Sequence, residues 1–330
     1  MWEIISSIFP YAIAFTIPLL VTALGGLYSE RSGIVNVGLE GLMVVGSFTC
    51  AFVVKLYSPA LSAFYASVFA GISQGALEGL ILATGLLAAV LAGILISMLH
   101  AVACISLNAN QVISGTAINM IAGALMVFLA RKITGSGNIS IVPMIRTDMG
   151  VLSQIPVLGP LLFTKTYATT WLVLFVLLLS WFLLYKTPFG LRLRSCGENP
   201  QAADAAGISV ARMRYIAVGI SGACAGLGGA IILVTYSGEF NGTVNGLGFL
   251  ALAALIFGQW KPLGILGATL FFGVAATIAN VSQVIHELQI MPPFLLKSFP
   301  YMLTMLALIF FSRRSNAPRA AGEIYDKGKR

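Results

Sequence analysis

The chain has 330 residues, 58% of them hydrophobic and 9% charged, with a mean hydropathy of +0.95. Soluble domains average about 45–50% apolar and about 25% charged residues, so this composition excludes an ordinary cytosolic enzyme, a secreted disulfide scaffold and a disordered protein. The formal net charge is +8, from 19 Lys and Arg against 11 Asp and Glu. The basic residues gather in polar connections and at the C-terminus, where they set membrane orientation and do not read as a nucleic-acid footprint.

No basic region precedes the first apolar run. That run passes signal-peptide length without a clear cleavage site, which predicts a retained helix. At about 20 residues per crossing, ten apolar stretches can be drawn: 4–27, 34–54, 60–73, 79–105, 111–130, 167–185, 214–235, 248–258, 263–281 and 298–312. The third and eighth are short and read as broken or tilted. The expected fold is all-α, a polytopic membrane protein of about ten helices. One transmembrane domain spans 1–312, and a basic tail follows over 313–330.

Orientation follows from Lys and Arg. The tail holds Arg313, Arg314, Arg319, Lys327, Lys329 and Arg330. The loop 186–213 holds Lys186, Arg192, Arg194 and Arg212, with Arg214 at its edge. Both are expected to be cytoplasmic, with four crossings between them. Counting back places the N-terminus inside as well. The loop 131–166 then falls outside despite Arg131, Lys132, Arg146 and Lys165. Val35-Asn36 and Val244-Asn245 each open an apolar segment leading to a Lys- and Pro-containing turn (Lys55 to Pro59; Lys261-Pro262), a slight mark of an internal repeat.

Three segments carry groups that do not belong in lipid. In 28–41, Glu40 sits inside an apolar run, where a charge costs on the order of 3 kcal/mol, and Gly33, Gly38 and Gly41 permit close contact or an unwound turn. This reads either as a broken helix lining a polar path, with Asn36 and Glu40 facing it, or as a charge satisfying backbone. In 108–119, Gln111, Ser114 or Gly115, Ile118 and Asn119 recur at helical spacing, facing a path or bonding a neighbouring helix. The third is the loop 187–208. Asn245 is the polar residue of the pair that opens a later apolar segment. Candidate path residues are therefore Asn36, Glu40, Gln111, Asn119 and Asn245.

In the loop 186–213, Asn199 is a good N-cap, Pro200 suits the first helical position and Gly207 is a natural stop. The Ala-rich stretch between them predicts a two-turn helix outside the lipid. It is too short to stand alone, so it docks in a groove or rests on the protein's own surface.

Cys50, Cys104, Cys196 and Cys224 form no Cys-x-x-Cys and read as apolar packers; no metal site is expected. No P-loop, H-E-x-x-H or G-x-S-x-G occurs. His100, and His286 beside Glu287, read as structural. Two classes of membrane function fit these residues poorly. An intramembrane enzyme would have to pair Glu40 with a histidine. An ion-coupled carrier would have no use for a docking helix.

The segments Y-S-E-R-S-G-I-V-N-V-G-L-E-G-L-M (28–43), N-A-N-Q-V-I-S-G-T-A-I-N (108–119), T-P-F-G-L-R-L-R-S-C-G-E-N-P-Q-A-A-D-A-A-G-I (187–208) and F-G-Q-W-K-P-L-G (257–264) resemble inner-membrane permeases of ABC importers of the branched-chain amino acid/ribose class. Within that class the chain is most similar to permeases of basic-membrane-protein-type nucleoside importers. The resemblance implies a non-enzymatic subunit of the bacterial cytoplasmic membrane importing a nucleoside, or alternatively riboflavin, a simple sugar or a branched-chain amino acid. It implies a coupling helix in Gly197, Glu198, Asn199, Pro200, Ala202, Ala203, Ala206, Gly207 and Ile208 that docks on a separate ATPase subunit. ATP and magnesium are expected there, and no cofactor on this chain. It further implies a second permease subunit, a paralogue or a second copy, and an extracellular substrate-binding lipoprotein.

Overall fold

Two stretches, 32–38 and 241–246, leave the helical path between apolar helices in the computed structural model, and the elements are arranged around them. The structure describes residues 2–69, 71–156, 159–281, 298, 302 and 316–325. The elements are α1 (Trp2–Arg31), α2 (Leu39–Val68), α3 (Gln74–Ala101), α4 (Gln111–Thr134), β1 (Ile139–Ser140), α5 (Ala168–Lys186), α6 (Pro188–Glu198), α7 (Pro200–Ala205), α8 (Val210–Ile232), β2 (Glu239–Phe240), α9 (Leu247–Phe257) and α10 (Pro262–Val281). Among the described residues, 7 helices are long and apolar enough to cross a membrane. Apart from the two-residue antiparallel ladder of β1 and β2 (Ile139↔Phe240, Ser140↔Glu239), the architecture is helical.

Among the described residues, two of the ten expected stretches are redrawn. The stretch 60–73 is no separate crossing, because α2 runs unbroken through Pro59 to Val68. Proline removes one backbone bond, and a membrane helix absorbs that loss. The helix stays wound across the expected turn, and the Ser62 hydroxyl donates back to the Ser58 carbonyl at 2.7 Å. The stretch 248–258 is α9, of only 11 residues. The stretch 298–312 and the His286–Glu287 pair lie outside the described residues, apart from residues 298 and 302.

The start of α1 and the tail were expected on one side. The C-terminal end of α1 lies beside α6, where Arg31 pairs with Glu198 at 3.7 Å. The Ala320 amide of the tail donates to the Gly197 carbonyl on the same face at 2.9 Å. The other half of α1 meets the opposite face: the Arg146 guanidinium lies 4.1 Å from the Tyr11 ring centroid, and Phe15 meets Tyr236 edge-on at 6.0 Å. The start of α1 and residues 316–325 therefore occupy opposite faces.

Helix α8 runs through the centre, against α1, α2 and α3. Lipid gives no hydrophobic drive for helices to associate, so close backbone approach and dispersion must hold them. Gly46 lies on the Gly226 backbone, Gly229 on Met43 and Gly93 on Gly222, with no room for a Cβ at any of them. The four cysteines are buried and unpaired. Burial pushes the Cys196 thiol, on α6, above its usual range.

These faces predict a labelling pattern. Single cysteines replacing the exposed Arg192 and Arg319 should react with an impermeant thiol reagent from one side of the membrane. One replacing Asn138 should react only from the other. Reaction of positions 138 and 319 from the same side would overturn the topology.

Candidate functional site

The sequence-predicted polar residues converge on the turn 32–38. This segment re-enters the protein between α1 and α2 without helical partners for its backbone, so each N–H and C=O needs another partner. The Ser29 hydroxyl donates to the Ile34 carbonyl at 2.7 Å. The Val35 N–H donates to Gln111 Oε1 at 2.6 Å, and His100 Nε2 lies 3.3 Å from the Val35 carbonyl. Asn119 makes two bonds, donating to the Val37 carbonyl at 3.0 Å and accepting from the Gly41 N–H at 2.7 Å. Asn36 turns inward, donating to Ser221 Oγ on α8 at 2.9 Å and accepting from the Gly38 N–H at 3.1 Å.

The polar stripe of α4 is thereby assigned. Gln111 and Asn119 face the turn, and Ser114 bonds His100 Nδ1 at 2.9 Å. Gly115 lies on the Gly38 backbone, so α4 can approach closely enough for these short side chains to reach. Gln111 Nε2 is buried without a hydrogen bond.

Glu40 serves the second break. The carboxylate accepts from the Gly246 N–H at 2.9 Å through Oε1 and from the Gly248 N–H at 2.7 Å through Oε2. Asn245 and Gly246 are both left-handed, at φ 55° and φ 78°. This turn leaves the Gly246 and Gly248 N–H groups without helical partners at the start of α9, where the helix dipole also favours negative charge. Gly248 lies on the Glu40 backbone, so a side chain at 248 would push the carboxylate out of reach. The two dipeptides that suggested a repeat, Val35-Asn36 and Val244-Asn245, thus each precede a helix start, and Glu40 joins the two starts.

On the α6–α7 face, Asn199 Oδ1 accepts from the Ala202 N–H at 2.9 Å, Pro200 opens α7 and Gly207 ends it at φ 81°, as its residue types predict. The preceding α6 was not foreseen, although Thr187-Pro188 carries the same cap-and-proline signal; the Thr187 hydroxyl accepts from the Gly190 N–H. The expected coupling residues divide into two sets. Gly197, Pro200 and Ala203 face inward, and Ala203 is only 3% exposed. Glu198, Asn199, Ala202, Ala206 and Gly207 face out, with Ile208 half-buried. Ala203 therefore seats α7 on the protein, and the exposed surface is carried by Ala202 and Ala206.

The same face holds the F-G-Q-W-K-P-L-G segment. Trp260 Nε1 donates to Glu30 Oε2 at 2.5 Å, and Arg31 donates to the Trp260 carbonyl at 2.8 Å. Arg214 is 2% exposed within α8 and donates through Nε to the Ser32 carbonyl at 3.2 Å. It was expected at a loop edge and instead supports the turn.

A cavity of about 520 Å³ opens toward the opposite face. Phe15, Ser47, Tyr236, Ser237, Asn241, Thr243 and Asn245 supply its aromatic and polar lining. Of the five candidate path residues, only Asn245 reaches it; Asn36, Glu40, Gln111 and Asn119 are engaged with backbone. The missed residues had a signal. Asn241 and Thr243 flank Gly242 and lead to Asn245, between Gly238 and Gly246, a polar Gly-rich strip between apolar helices. Among the described residues, no group of His, Cys, Asp and Glu could hold a metal ion.

Glu40→Ala removes both acceptors of the α9 start. Hydrogen bonds to a charged group contribute about 1.5–3 kcal/mol each, so purified protein should lose thermal stability and membrane abundance, and Glu40→Gln, which keeps one acceptor, should lose less. Normal abundance and stability with altered transport would instead make Glu40 a path residue.

Residues 8–311 match the family described as branched-chain amino acid transport system / permease component. The chain is 44% identical over 99% of both chains to the guanosine ABC transporter permease protein NupQ of Bacillus subtilis (strain 168). It is 40% identical over 96% of both chains to the nucleoside ABC transporter permease protein NupC of Lactococcus lactis subsp. cremoris (strain MG1363). A shorter match, 37% identical over 28% of this chain and 26% of the relative, is to the nucleoside ABC transporter permease protein NupB of the same strain. No solved structure matches the chain. The chain belongs to this permease-component family, and it is a membrane-embedded, non-catalytic subunit of an ABC transporter.

Proposed function

We propose that the chain is the permease of an ATP-driven importer that passes a neutral nucleoside through the cavity between α1, α2, α8 and α10. The lining carries this reading. Phe15 and Tyr236 offer aromatic faces, and Ser47, Ser237, Asn241, Thr243 and Asn245 offer uncharged donors and acceptors. No charged side chain is among the described lining residues. A phosphate or an amino-acid zwitterion entering it would shed water without a counter-charge, at a cost of several kcal/mol. A nucleoside has a base that stacks on an aromatic ring for about 1–3 kcal/mol and a sugar that needs only neutral hydrogen bonds. The names of NupQ and NupC support the same substrate class.

In this reading the α6–α7 face is cytoplasmic, and α7 presents Gln201, Ala202, Ala205 and Ala206 to a separate ATPase subunit, which holds ATP and magnesium. The 7 long helices and the α9 limb belong to one permease domain over 1–312, with the start of α1 outside and the tail 313–330 inside, in a bacterial cytoplasmic membrane. A second permease completes the path; that one Lactococcus lactis strain has both NupB and NupC supports a paralogue there. An extracellular lipoprotein delivers the substrate.

Uptake of labelled guanosine by cells carrying the full transporter tests the substrate. Excess unlabelled nucleosides should compete, and glucose, leucine, riboflavin and nucleoside monophosphates should not. Asn241→Ala should lower uptake about tenfold, the equivalent of one good hydrogen bond, at normal membrane abundance. Competition by riboflavin or glucose but not by nucleosides would overturn the assignment.

A further inference from the structure

The C-terminal segment 316–325 lies across the α6–α7 face and bonds to α6, the turn 32–38 and the α9–α10 turn at once. Its Ala320 amide donates to the Gly197 carbonyl near the end of α6 at 2.9 Å. Two residues on, the Gly322 amide donates to the Gly33 carbonyl of the re-entrant turn at 3.1 Å. The Asn316 amide donates to Gln259 Oε1 in the α9–α10 turn at 3.2 Å. The Tyr325 ring lies 5.8 Å from the Arg214 guanidinium, which itself holds the Ser32 carbonyl. The phenol of Tyr325 meets the Asp204 carboxylate on α7.

These contacts are built rather than incidental. Ala320 is 3% exposed, so its methyl is packed under the tail. Gly322 adopts φ 84°, a conformation a side chain strains, and that bend brings its amide onto Gly33. Gly33 is itself left-handed at φ 97°, and its α-carbon faces the Arg214 guanidinium, so arginine, turn and tail close on one another without a spare atom between them. Without the tail the α6–α7 segment still meets this region through the partly exposed Arg31–Glu198 pair, the contact of Gly197 with the Arg31 carbonyl and the Gly33 amide, and the packing of α6 on α1 and α8 and of α7 on α8; the tail adds backbone bonds to both sides of that seam.

We infer that residues 316–325 are a strap that makes α6, α7, the turn 32–38 and the α9–α10 turn move as one body, so that displacement of α7 reaches Asn36, Glu40 and the start of α9. The inference rests on the reading of α7 as the ATPase-docking element. The tail acts by positioning: it touches neither substrate nor nucleotide. Two backbone bonds at Gly197 and Gly33, on either side of Ala321, convert movement of the exposed helix into movement of the membrane turn.

The test uses the complete transporter, with its ATPase and binding protein, in proteoliposomes. Three variants are compared: a chain ending at Ser315, Ala320→Pro, which removes the amide donated to Gly197, and Ala202→Glu on the exposed face of α7. For the first two, the strap predicts normal ATPase association and continued hydrolysis, with substrate moved per ATP reduced roughly fivefold or more, the lower range of allosteric couplings. Wild-type yield per ATP in both overturns the strap. Failure of both to accumulate in the membrane assigns the tail to folding and overturns it too. If the truncated chain alone fails to accumulate, Ala320→Pro decides. Ala202→Glu should lose ATPase association; if it does not, the docking reading beneath the strap is wrong, whatever the tail variants do. Loss with Ala202→Glu and a wild-type yield per ATP in the tail variants keeps the docking reading and removes the strap.

Discussion

An unwound backbone inside an apolar slab is the constraint on which this structure depends. Lipid offers no partner for a peptide N–H or C=O, yet the chain breaks its helices at 32–38 and at 241–246. The first break is satisfied by Ser29, Asn36, His100, Gln111 and Asn119. Glu40 satisfies the start of α9 after the second. Most of the mid-chain polar side chains that look out of place in the sequence are spent in this way. An anion is favoured at the start of α9 because the Gly246 and Gly248 N–H groups have no helical partner there and bond to the two oxygens of Glu40.

This arrangement connects the α6–α7 face with the cavity. The turn 32–38 begins at Arg31 beside Glu198 and ends at Glu40 beside Gly246. One end therefore touches the surface that carries α7, and the other touches the strip that lines the cavity. Glycine-on-backbone contacts of α8 with α2 and α3 keep the intervening helices in close register. A shift at α7 has a short, densely hydrogen-bonded route to Asn241, Thr243 and Asn245, through elements that fit together in few ways.

Much of the helical architecture was legible, because apolar runs near 20 residues have one main use. The α7 cap, proline and glycine were equally plain, since each acts on neighbours in the chain. The merger at Pro59 was not, because a proline that breaks a soluble helix is tolerated in a membrane one. Glu40 was legible as an anomaly, but its role depended on Gly246 and Gly248, more than 200 residues away. Ala203 and Ala202 are alike in sequence, and only packing shows which one faces inward. The tail read as a charge signal; its backbone bonds to Gly197 and Gly33 have no side-chain signature.

Hydrogen exchange of the transporter in lipid nanodiscs, resolved to peptides covering 32–41 and 244–249, addresses the satisfied-break account most directly. The amides of Val35, Gly38, Gly41, Gly246 and Gly248 are bonded to side chains in the protein interior, so these peptides should exchange as slowly as α8. Exchange as fast as that of the exposed 135–138 connection would show that the breaks open to water, and would contradict the assignment of Glu40, Gln111 and Asn119 as their partners.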